Sequence, residues 1–139
     1  MKPPSSFKRA AKGANLAPSV ELHLEWVHGY KGDSTKNNLR YLDDGNLAYY
    51  IAAVGVVYNP DMHTQKFFQM HTDDITCMDF HPDGVKCATG ENGKKPKAFL
   101  WDTQTMKMVH QFVGHGIVET IIAIAFSPSG KHLALVAGN

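Results

Sequence analysis

The chain has 139 residues, of which 43% are hydrophobic, 10% aromatic and 19% charged, a composition that predicts a globular protein and excludes a coiled coil, a collagen or a wholly disordered chain. Its formal net charge of +1 favours neither nucleic acid nor a membrane as a partner, and no apolar run approaches the ~18 residues that a spanning helix needs. Two cysteines are too few for a disulfide framework, so the composition favours a reducing, intracellular compartment.

Residues 1–19 are predicted to form a flexible basic tail. The first twenty residues carry a charge of +4 without an acidic residue, whereas the remainder carries −3. The basic side chains of the tail are Lys2, Lys8, Arg9 and Lys12. Too few large apolar groups accompany them to repay the entropy of folding. The sequence leaves two interpretations open, an inert solvated leader and a functional tail, while Pro3 and Pro4 oppose the helix of a mitochondrial transit peptide.

Alternating apolar and polar side chains mark the first predicted strand, which spans residues 20–27. The apolar set is Val20, Leu22, Leu24 and Trp26. Glu21, His23 and Glu25 occupy the other parity, so one face of this strand is expected to be buried. Turn-forming residues follow at 28–33.

A tight hairpin is predicted next. Its turn is the run Asp43-Asp44-Gly45-Asn46, and its strands are residues 39–42 and 47–53. Short polar residues and glycine suit such a turn because they accept the positive φ angles that hairpin connections need.

Gly55 interrupts the next apolar stretch and is expected to separate one run, 49–54, from another, 56–58. A turn signal at 59–61 closes the second run, and residues 65–70 follow as a short strand. No segment of the chain shows sustained helical periodicity. The predicted fold class is therefore all-β.

An internal repeat relates residues 71–90 to residues 114–138 with a constant offset of 46. The matched pairs are Ile75 with Ile121, Met78 with Ile124, Phe80 with Phe126, Pro82 with Pro128, Gly84 with Gly130 and Ala88 with Ala134. A period of roughly 40 to 45 residues with four short strands is typical of a WD-type β-propeller blade. The polar loop 91–97, between the second and third predicted strands of the blade, supplies the small insertion.

A Trp-Asp dipeptide, Trp101-Asp102, ends a short apolar strand between the two copies. An earlier, degraded copy is predicted at Tyr58-Asn59, because an aromatic residue and a turn-starting Asx precede His71 there much as Trp101-Asp102 precedes His115. The spacings from aromatic residue to histidine are 13 and 14 residues. The sequence therefore predicts consecutive blades.

Polar residues of the better-defined copy are predicted to stabilise a blade through a buried line of hydrogen bonds from histidine through threonine to tryptophan. The predicted structural residues are His71, Thr89, Trp101, Asp102 and His115. The acidic member of such a line is not clear, because the only candidate, Glu91, falls in the lengthened loop. In the last copy Leu135 stands where Thr89 stands, so a network there is expected to be weaker.

Catalytic and metal-binding patterns are absent from the sequence. The nearest approach to a metal set is His71, Cys77, His81 and Cys87. Zinc sites use paired ligands two to four residues apart, which this spacing does not provide. Cys77 and Cys87 lie in apolar strands, where a free cysteine is ordinarily a small core residue. The acidic pairs at 43–44 and 73–74 are adjacent turn residues, so we expect no enzyme activity, no metal and no cofactor.

Three motifs in residues 24–59 carry a resemblance to a known family. They are an aromatic-Val-x-Gly-Tyr-x-Gly stretch at 26–32, an Asn-x-x-Tyr-Leu-x-x-Gly run at 38–45 and an apolar block at 50–58. A WD repeat follows them directly. From about residue 20 to its end, the chain resembles the echinoderm microtubule-associated protein-like family, in which a hydrophobic motif precedes WD repeats.

The resemblance implies a non-catalytic protein that binds tubulin or microtubules through a WD-repeat propeller, with the hydrophobic motif in the propeller core. It also implies a cytoplasmic, cytoskeletal location on microtubules or in a cilium, and other cytoskeletal or axonemal partners. A general WD-repeat scaffold for another complex is the alternative. Such a scaffold would not need the hydrophobic motif.

The expected organisation has four parts. They are the tail at 1–19, the hydrophobic motif with a degenerate first blade at 20–70, a WD repeat at 71–115 and the start of a further repeat at 116–139. This is material for fewer than three blades, whereas closed propellers have at least about four. A partial propeller is therefore expected, to be completed by a longer product or by another chain.

Two basic clusters are candidates for contact with tubulin. The resemblance to the family implies this partner, and with it an acidic partner surface. One is the tail, and the other is the set Lys94, Lys95 and Lys97 in the lengthened loop. Long-range attraction between opposite charges would favour attachment there. The loop is also open to a plainer interpretation as a solvated segment, since exposed lysines usually contribute little.

Overall fold

The computed structural model describes residues 19–33, 35, 37–114 and 119–138. These residues form ten strands and no helix. The strands are β1 (Leu39–Tyr41), β2 (Leu47–Ile51), β3 (Val54–Asn59), β4 (Thr64–Phe68), β5 (Ile75–Phe80), β6 (Lys86–Glu91), β7 (Ala98–Asp102), β8 (Met108–Phe112), β9 (Thr120–Phe126) and β10 (Leu133–Gly138).

The strands build three antiparallel sheets in which neighbours in sequence are neighbours in space. The first sheet has the order β1-β2-β3-β4, the second has the order β5-β6-β7-β8, and β9 pairs with β10 in the third. A propeller blade is a four-stranded antiparallel sheet, so the first two sheets correspond to whole blades and the third to the first half of another. The prediction of an all-β partial propeller is confirmed. No helix in the described part of the chain is long and apolar enough to cross a membrane.

The first hairpin of every sheet has the same geometry. Each has a glycine at positive φ whose N–H donates to the carbonyl three residues earlier. The bonds are Gly45 to Leu42 at 3.0 Å, Gly84 to His81 at 3.0 Å and Gly130 to Ser127 at 2.8 Å, with glycine φ values of 82°, 73° and 71°. A residue with a Cβ atom adopts this conformation only with strain. The predicted turn at 43–46 is therefore the first of three equivalent turns.

The third and fourth strands of the first two sheets are also joined by matching turns. The Oδ1 atoms of Asn59 and Asp102 each accept a hydrogen bond at 2.7 Å from the N–H three residues on. The residue after that donor, His63 or Met106, has a φ of 50° or 58°. The first sheet thus repeats the turn geometry of the second, although an asparagine replaces the aspartate of the Trp-Asp pair.

The first and second sheets pack around Trp101, which is fully buried. Its ring is stacked on Phe68 with a centroid distance of 4.8 Å and an interplanar angle of 7°. Gly55 lies inside β3, and a Cβ atom there would be only 3.0 Å from the Trp101 ring. The predicted break at Gly55, between the apolar runs 49–54 and 56–58, is wrong. The chain turns at Ala52, whose φ is 47°, and Gly55 instead provides the room that the tryptophan occupies.

The second and third sheets share a smaller apolar seam, formed by Ala88, Ala98, Ile121 and Ile124. Polar atoms at its margin are paired across the sheets. The hydroxyl of Thr76 donates to the Ile121 carbonyl, and the Phe126 N–H donates to the Asp79 carboxylate at 2.7 Å. These bonds join β5 and β9, the first strands of the two sheets, which fixes the third sheet against the second.

The predicted strand at 20–27 is not formed. Leu22 is fully exposed, Val20 is 73% exposed, and these residues pair with no strand of the described chain. Only the last two residues are half-buried. The alternation of side chains is real, but a strand also needs a neighbour to take its backbone hydrogen bonds.

Candidate functional site

Four buried side chains of the second sheet form a continuous line of hydrogen bonds. His71, in the connection before β5, contacts Glu91 through Nδ1 at 2.8 Å and Thr89 through Nε2 at 2.7 Å. The Trp101 ring N–H donates to the Thr89 hydroxyl oxygen at 3.1 Å. Thr89 and Glu91 lie two residues apart on β6, so their side chains share one face of the sheet.

The direction of the line follows from the chemistry of its members. A tryptophan N–H can only donate, so the Thr89 oxygen accepts from Trp101. The Thr89 hydroxyl then donates to Nε2 of His71, which leaves the His71 Nδ1–H to donate to the Glu91 carboxylate. This arrangement assigns the neutral Nδ1–H tautomer to His71 and satisfies every buried polar atom of the line.

The electrostatics agree with a neutral histidine. The pKa of His71 is lowered, with burial as the largest cause, although the hydrogen bond and the charge of Glu91 act in the opposite direction. The ammonium group of Lys97 lowers the pKa further. Because the His71 side chain has no solvent exposure and Glu91 has 1%, neither group can touch a substrate. The line therefore joins the connection before β5 to β6 and β7 in the interior of the protein.

Glu91 is the acidic member that the sequence left uncertain. It is the last residue of β6, and its carboxylate also accepts hydrogen bonds from the backbone of Thr72 at 3.0 Å and of Lys97 at 3.2 Å. The lengthened loop begins only after it. The signal in the sequence was parity, because residues 89 and 91 of one strand point to the same side.

The loop between β6 and β7, residues 92–97, is tied down at most of its positions. The backbone N–H of Asn92 donates to the Asp74 carbonyl at 2.9 Å, and that of Gly93 donates to the Glu119 carbonyl at 3.0 Å. Pro96 is buried. The loop is therefore an ordered projection of the second sheet.

The three lysines of this loop have different environments. Lys94 and Lys95 are exposed, whereas Lys97 is half-buried and its ammonium group lies 3.4 Å from the Thr72 hydroxyl. An acidic side chain also lies nearby, since a Cβ atom on Gly93 would be 3.0 Å from the Asp73 carboxylate. The loop thus presents two free lysines in surroundings of mixed charge.

The structure places Asp102 away from the line of His71. Its carboxylate accepts hydrogen bonds from the N–H groups of Thr105 and Gln104 in the turn after β7, and these bonds lower its pKa. His115 and the basic tail residues Lys2, Lys8, Arg9 and Lys12 lie outside the described residues.

The two thiols are not arranged for chemistry. Cys87 is fully buried, and burial raises its pKa well above the ordinary value. Burial also raises the pKa of Cys77. A low pKa and access to solvent are what a reactive thiol needs. Within the described ranges, no three His, Cys, Asp or Glu side chains are grouped so that they could hold a metal ion.

The segment 26–31 lies on the face of the first sheet that points away from the second sheet. The Trp26 ring packs against His63 at 4.7 Å and Tyr58 at 6.1 Å between centroids, and Tyr30 packs on Tyr49 at 6.0 Å. We call residues 26–31 the cover segment. It shields apolar side chains that would otherwise be open to water.

Two side-chain amides hold the cover segment in place. Gln65 accepts from the Val27 N–H at 2.8 Å and donates to its carbonyl at 3.2 Å, as a neighbouring strand would do. Asn38, which is buried, donates to the Lys31 carbonyl at 2.7 Å and accepts from the Tyr30 hydroxyl. Asn38 opens the motif at 38–45, but its contact with the cover segment was not predicted, and Gln65 was not singled out, because spacing alone does not show such contacts.

Comparisons with known protein families match two consecutive regions of the chain. The family model described as "HELP motif" matches residues 17–56, and the one described as "WD domain, G-beta repeat" matches residues 62–102 and 106–139. The HELP match contains the cover segment and the first two strands. The WD matches contain the buried line and the third sheet.

Three relatives show the extent of the similarity. The chain is 36% identical over 139 residues to the ciliary WD repeat-containing protein ctxp80 of Euplotoides octocarinatus, with 88% of this chain and 19% of that protein covered. It is 38% identical over 130 residues to echinoderm microtubule-associated protein-like 1 of Rattus norvegicus, covering 86% and 16%. It is 36% identical over 121 residues to the human echinoderm microtubule-associated protein-like 2, covering 81% and 18%. The chain thus spans less than a fifth of the length of these curated relatives.

Proposed function

This chain belongs to the echinoderm microtubule-associated protein-like family, and on that premise we propose that it is a non-catalytic protein that binds tubulin or microtubules through surface loops of its WD-repeat sheets. The names of the relatives support the partner, since two are microtubule-associated and one is ciliary. The proposed location is accordingly the cytoplasmic microtubule cytoskeleton or the axoneme. Other cytoskeletal proteins are further proposed partners.

A scaffold function without catalysis is supported by the way the polar groups are used. The histidine and the carboxylate that most resemble a catalytic pair, His71 and Glu91, are buried and bonded to each other and to Thr89 and Thr72. A general base must reach a proton on a substrate. These groups have no path to one.

One observation carries the assignment of a binding surface, namely the exposure of Lys94 and Lys95 on a loop that is held in place by backbone hydrogen bonds. Fixed positive charges attract an acidic partner over about one Debye length, ~10 Å at 0.1 M salt. Because the loop is already ordered, little conformational entropy is lost on contact.

Co-sedimentation with microtubules tests this proposal. We expect the double variant Lys94→Gln, Lys95→Gln to pellet several-fold less than the parent protein at low salt. The matched control is Lys107→Gln, Lys131→Gln, which removes the same charge from exposed positions in other turns. Equal pelleting of the three proteins, or an equal loss in both variants, would contradict a specific role for the loop.

A second candidate function, a WD-repeat scaffold for a partner other than tubulin, is favoured by the acidic residues around the loop. Asp73 lies against Gly93, and the Asp74 and Glu119 backbones hold the loop. A partner with mixed charge suits such a surface better than a uniformly acidic one. A parent protein that does not pellet with microtubules even at low salt, where attraction between charges is least screened, would support this second candidate.

A further inference from the structure

We infer that Glu91 is a positioning residue that holds the loop 92–97 so that Lys94 and Lys95, and not Lys97, meet an acidic partner. The inference rests on the proposed function, which it makes more specific. It assigns different tasks to three lysines that look equivalent in the sequence. It also connects the buried line of the second sheet to the binding surface.

Glu91 closes the loop on itself. Its backbone N–H donates to the Lys97 carbonyl at 3.1 Å, and its Oε1 atom accepts from the Lys97 backbone N–H at 3.2 Å. The first residue before the loop is thus bonded twice to the last residue of the loop. A side chain that joins the two ends in this way restricts every residue between them.

The carboxylate of Glu91 is itself held rigidly. Oε2 accepts from His71 at 2.8 Å and from the Thr72 N–H at 3.0 Å, and Oε1 accepts from the Thr72 hydroxyl at 3.2 Å. Hydrogen bonds to a charged acceptor are stronger than neutral ones. The carboxylate is therefore held in one position, and its hydrogen bond to the Lys97 N–H restrains the end of the loop.

Two of the three lysines of the loop are left exposed. Asn92 and Gly93 are bonded through their backbones to Asp74 and Glu119, and Pro96 is buried. Lys94 and Lys95 are exposed, and the only other exposed residue of the loop is the uncharged Asn92. Two consecutive exposed lysines on a loop held by backbone hydrogen bonds present positive charge to solvent, so the ligand chemistry is that of an acidic peptide segment.

Lys97 is engaged within the protein instead. Its ammonium group contacts the Thr72 hydroxyl at 3.4 Å, and that hydroxyl donates to Glu91. The charge of Lys97 is therefore close to the buried carboxylate and is partly offset by it. Its contribution to an external partner is correspondingly smaller than that of Lys94 or Lys95.

The first test measures the order of the loop without any partner. Trypsin cleaves after lysine, and a cut after Lys94 requires the loop to open, whereas the bond from Lys95 to Pro96 resists trypsin. Cleavage after Lys107, in the turn before β8, serves as a reference in the same sample. We expect Glu91→Ala to raise the ratio of cleavage at Lys94 to cleavage at Lys107 by roughly tenfold, because the local opening becomes easier.

A matched control separates loop order from general stability. Thr103 is buried, and its hydroxyl donates to the Val85 carbonyl at 2.8 Å at the other end of the second sheet. Thr103→Ala should destabilise the sheet and leave the cleavage ratio within about twofold of the parent value. Glu91→Gln keeps an acceptor oxygen for the Lys97 N–H but places an NH2 group against the His71 and Thr72 donors, so it should restore only part of the protection. An unchanged ratio in Glu91→Ala would overturn the positioning role.

The second test uses a hexaglutamate peptide as the probe, with binding followed at low salt by a shift in peptide fluorescence anisotropy. Lys94→Gln and Lys95→Gln should each weaken binding several-fold more than Lys97→Gln, although each change removes one charge. Equal losses for the three variants would overturn the assignment of tasks. If the peptide binds as expected while microtubules do not, the proposed function fails and the positioning role of Glu91 stands.

Discussion

Trp101 combines two tasks in one side chain. Its ring fills the space between the first two sheets, stacked on Phe68, and its N–H starts the line of hydrogen bonds that ends at Glu91. A fully buried aromatic ring removes a large apolar area from water. The Thr89 oxygen, the acceptor of the N–H, is also completely buried.

The first prediction concerns this residue. Trp101→Ala should lower the free energy of unfolding by ~3 to 5 kcal/mol, because a cavity forms between the sheets and a hydrogen bond is lost. Trp101→Phe keeps most of the packing and should lose ~1 to 2 kcal/mol for the missing donor. Urea denaturation measures both values. A Trp101→Ala protein with an unchanged midpoint would show that the seam does not depend on this ring.

The second prediction concerns pH and His71, whose pKa is lowered in the folded state from 6.5. The unfolded chain then binds a proton that the folded chain does not, so stability falls as the pH drops below 6.5. The lowered pKa of Asp102 acts only below 3.8, outside this window. Unfolding free energies at about pH 7.5 and 5.5 should therefore differ for the parent and much less for His71→Asn. His110→Asn, at an exposed site, should retain the full pH dependence.

At the scale of elements, the sequence predicted the strands that end in clear turns. The glycine turn at 43–46 lies where its own residues predict it, and the insertion lies between β6 and β7 as the repeat predicts. The alternation at 20–27 was misleading, because periodicity reports which side chains share a face and not whether a neighbouring strand exists. Gly55 was misread as a break for a similar reason, since its role depends on Trp101, 46 residues away.

The candidate site was predictable only in part. His71, Thr89 and Trp101 could be aligned by the repeat, and the structure brings them together with Glu91. The different environments of Lys94 and Lys97 could not be predicted, because they arise from Thr72, which lies in a separate connection. A contact between distant segments leaves no local pattern in the sequence.

The third prediction belongs to β3. Gly55→Ala should lower the free energy of unfolding by ~1 to 3 kcal/mol, because the added methyl group is pressed against the Trp101 ring in a seam that cannot expand freely. Gly32→Ala is the matched control, since a Cβ atom there has its nearest neighbour at 3.8 Å. Thermal denaturation of both variants provides the comparison. A stable Gly55→Ala protein would mean that the two sheets can separate slightly without cost.

At the scale of the whole molecule, the first hairpin of each sheet contacts the first hairpin of the next sheet. A Cβ atom on Gly84, in the second sheet, would meet the Asp43 carboxylate of the first, and one on Gly130, in the third, would meet the His81 ring of the second. His81 also contacts the Gly130 carbonyl at 3.2 Å through Nε2. The glycines thus hold the turns and also let each hairpin lie against the next.

The fourth prediction concerns the basic tail. Long-range electrostatic attraction to a microtubule depends on the net charge of the whole chain, to which the tail contributes. Removing residues 1–19 eliminates four positive charges. We expect the shortened protein to pellet less with microtubules at low salt, and the difference from the parent should disappear as salt approaches ~1 M. A variant with Gln at the four basic positions controls for the loss of chain length. A difference that persists at high salt would point to contacts other than charge.

The chain has two tryptophans, one in the cover segment and one in the contact between the first and second sheets. The protein therefore has two fluorescent reporters. Trp26 is half-buried among His63 and Tyr58, whereas Trp101 is completely buried beside Phe68. Tryptophan emission moves to longer wavelength when the ring meets water. Emission from a Trp101→Phe protein would therefore report the release of the cover segment, and emission from a Trp26→Phe protein would report the separation of the first two sheets. The order in which the chain comes apart can thus be read from two spectra.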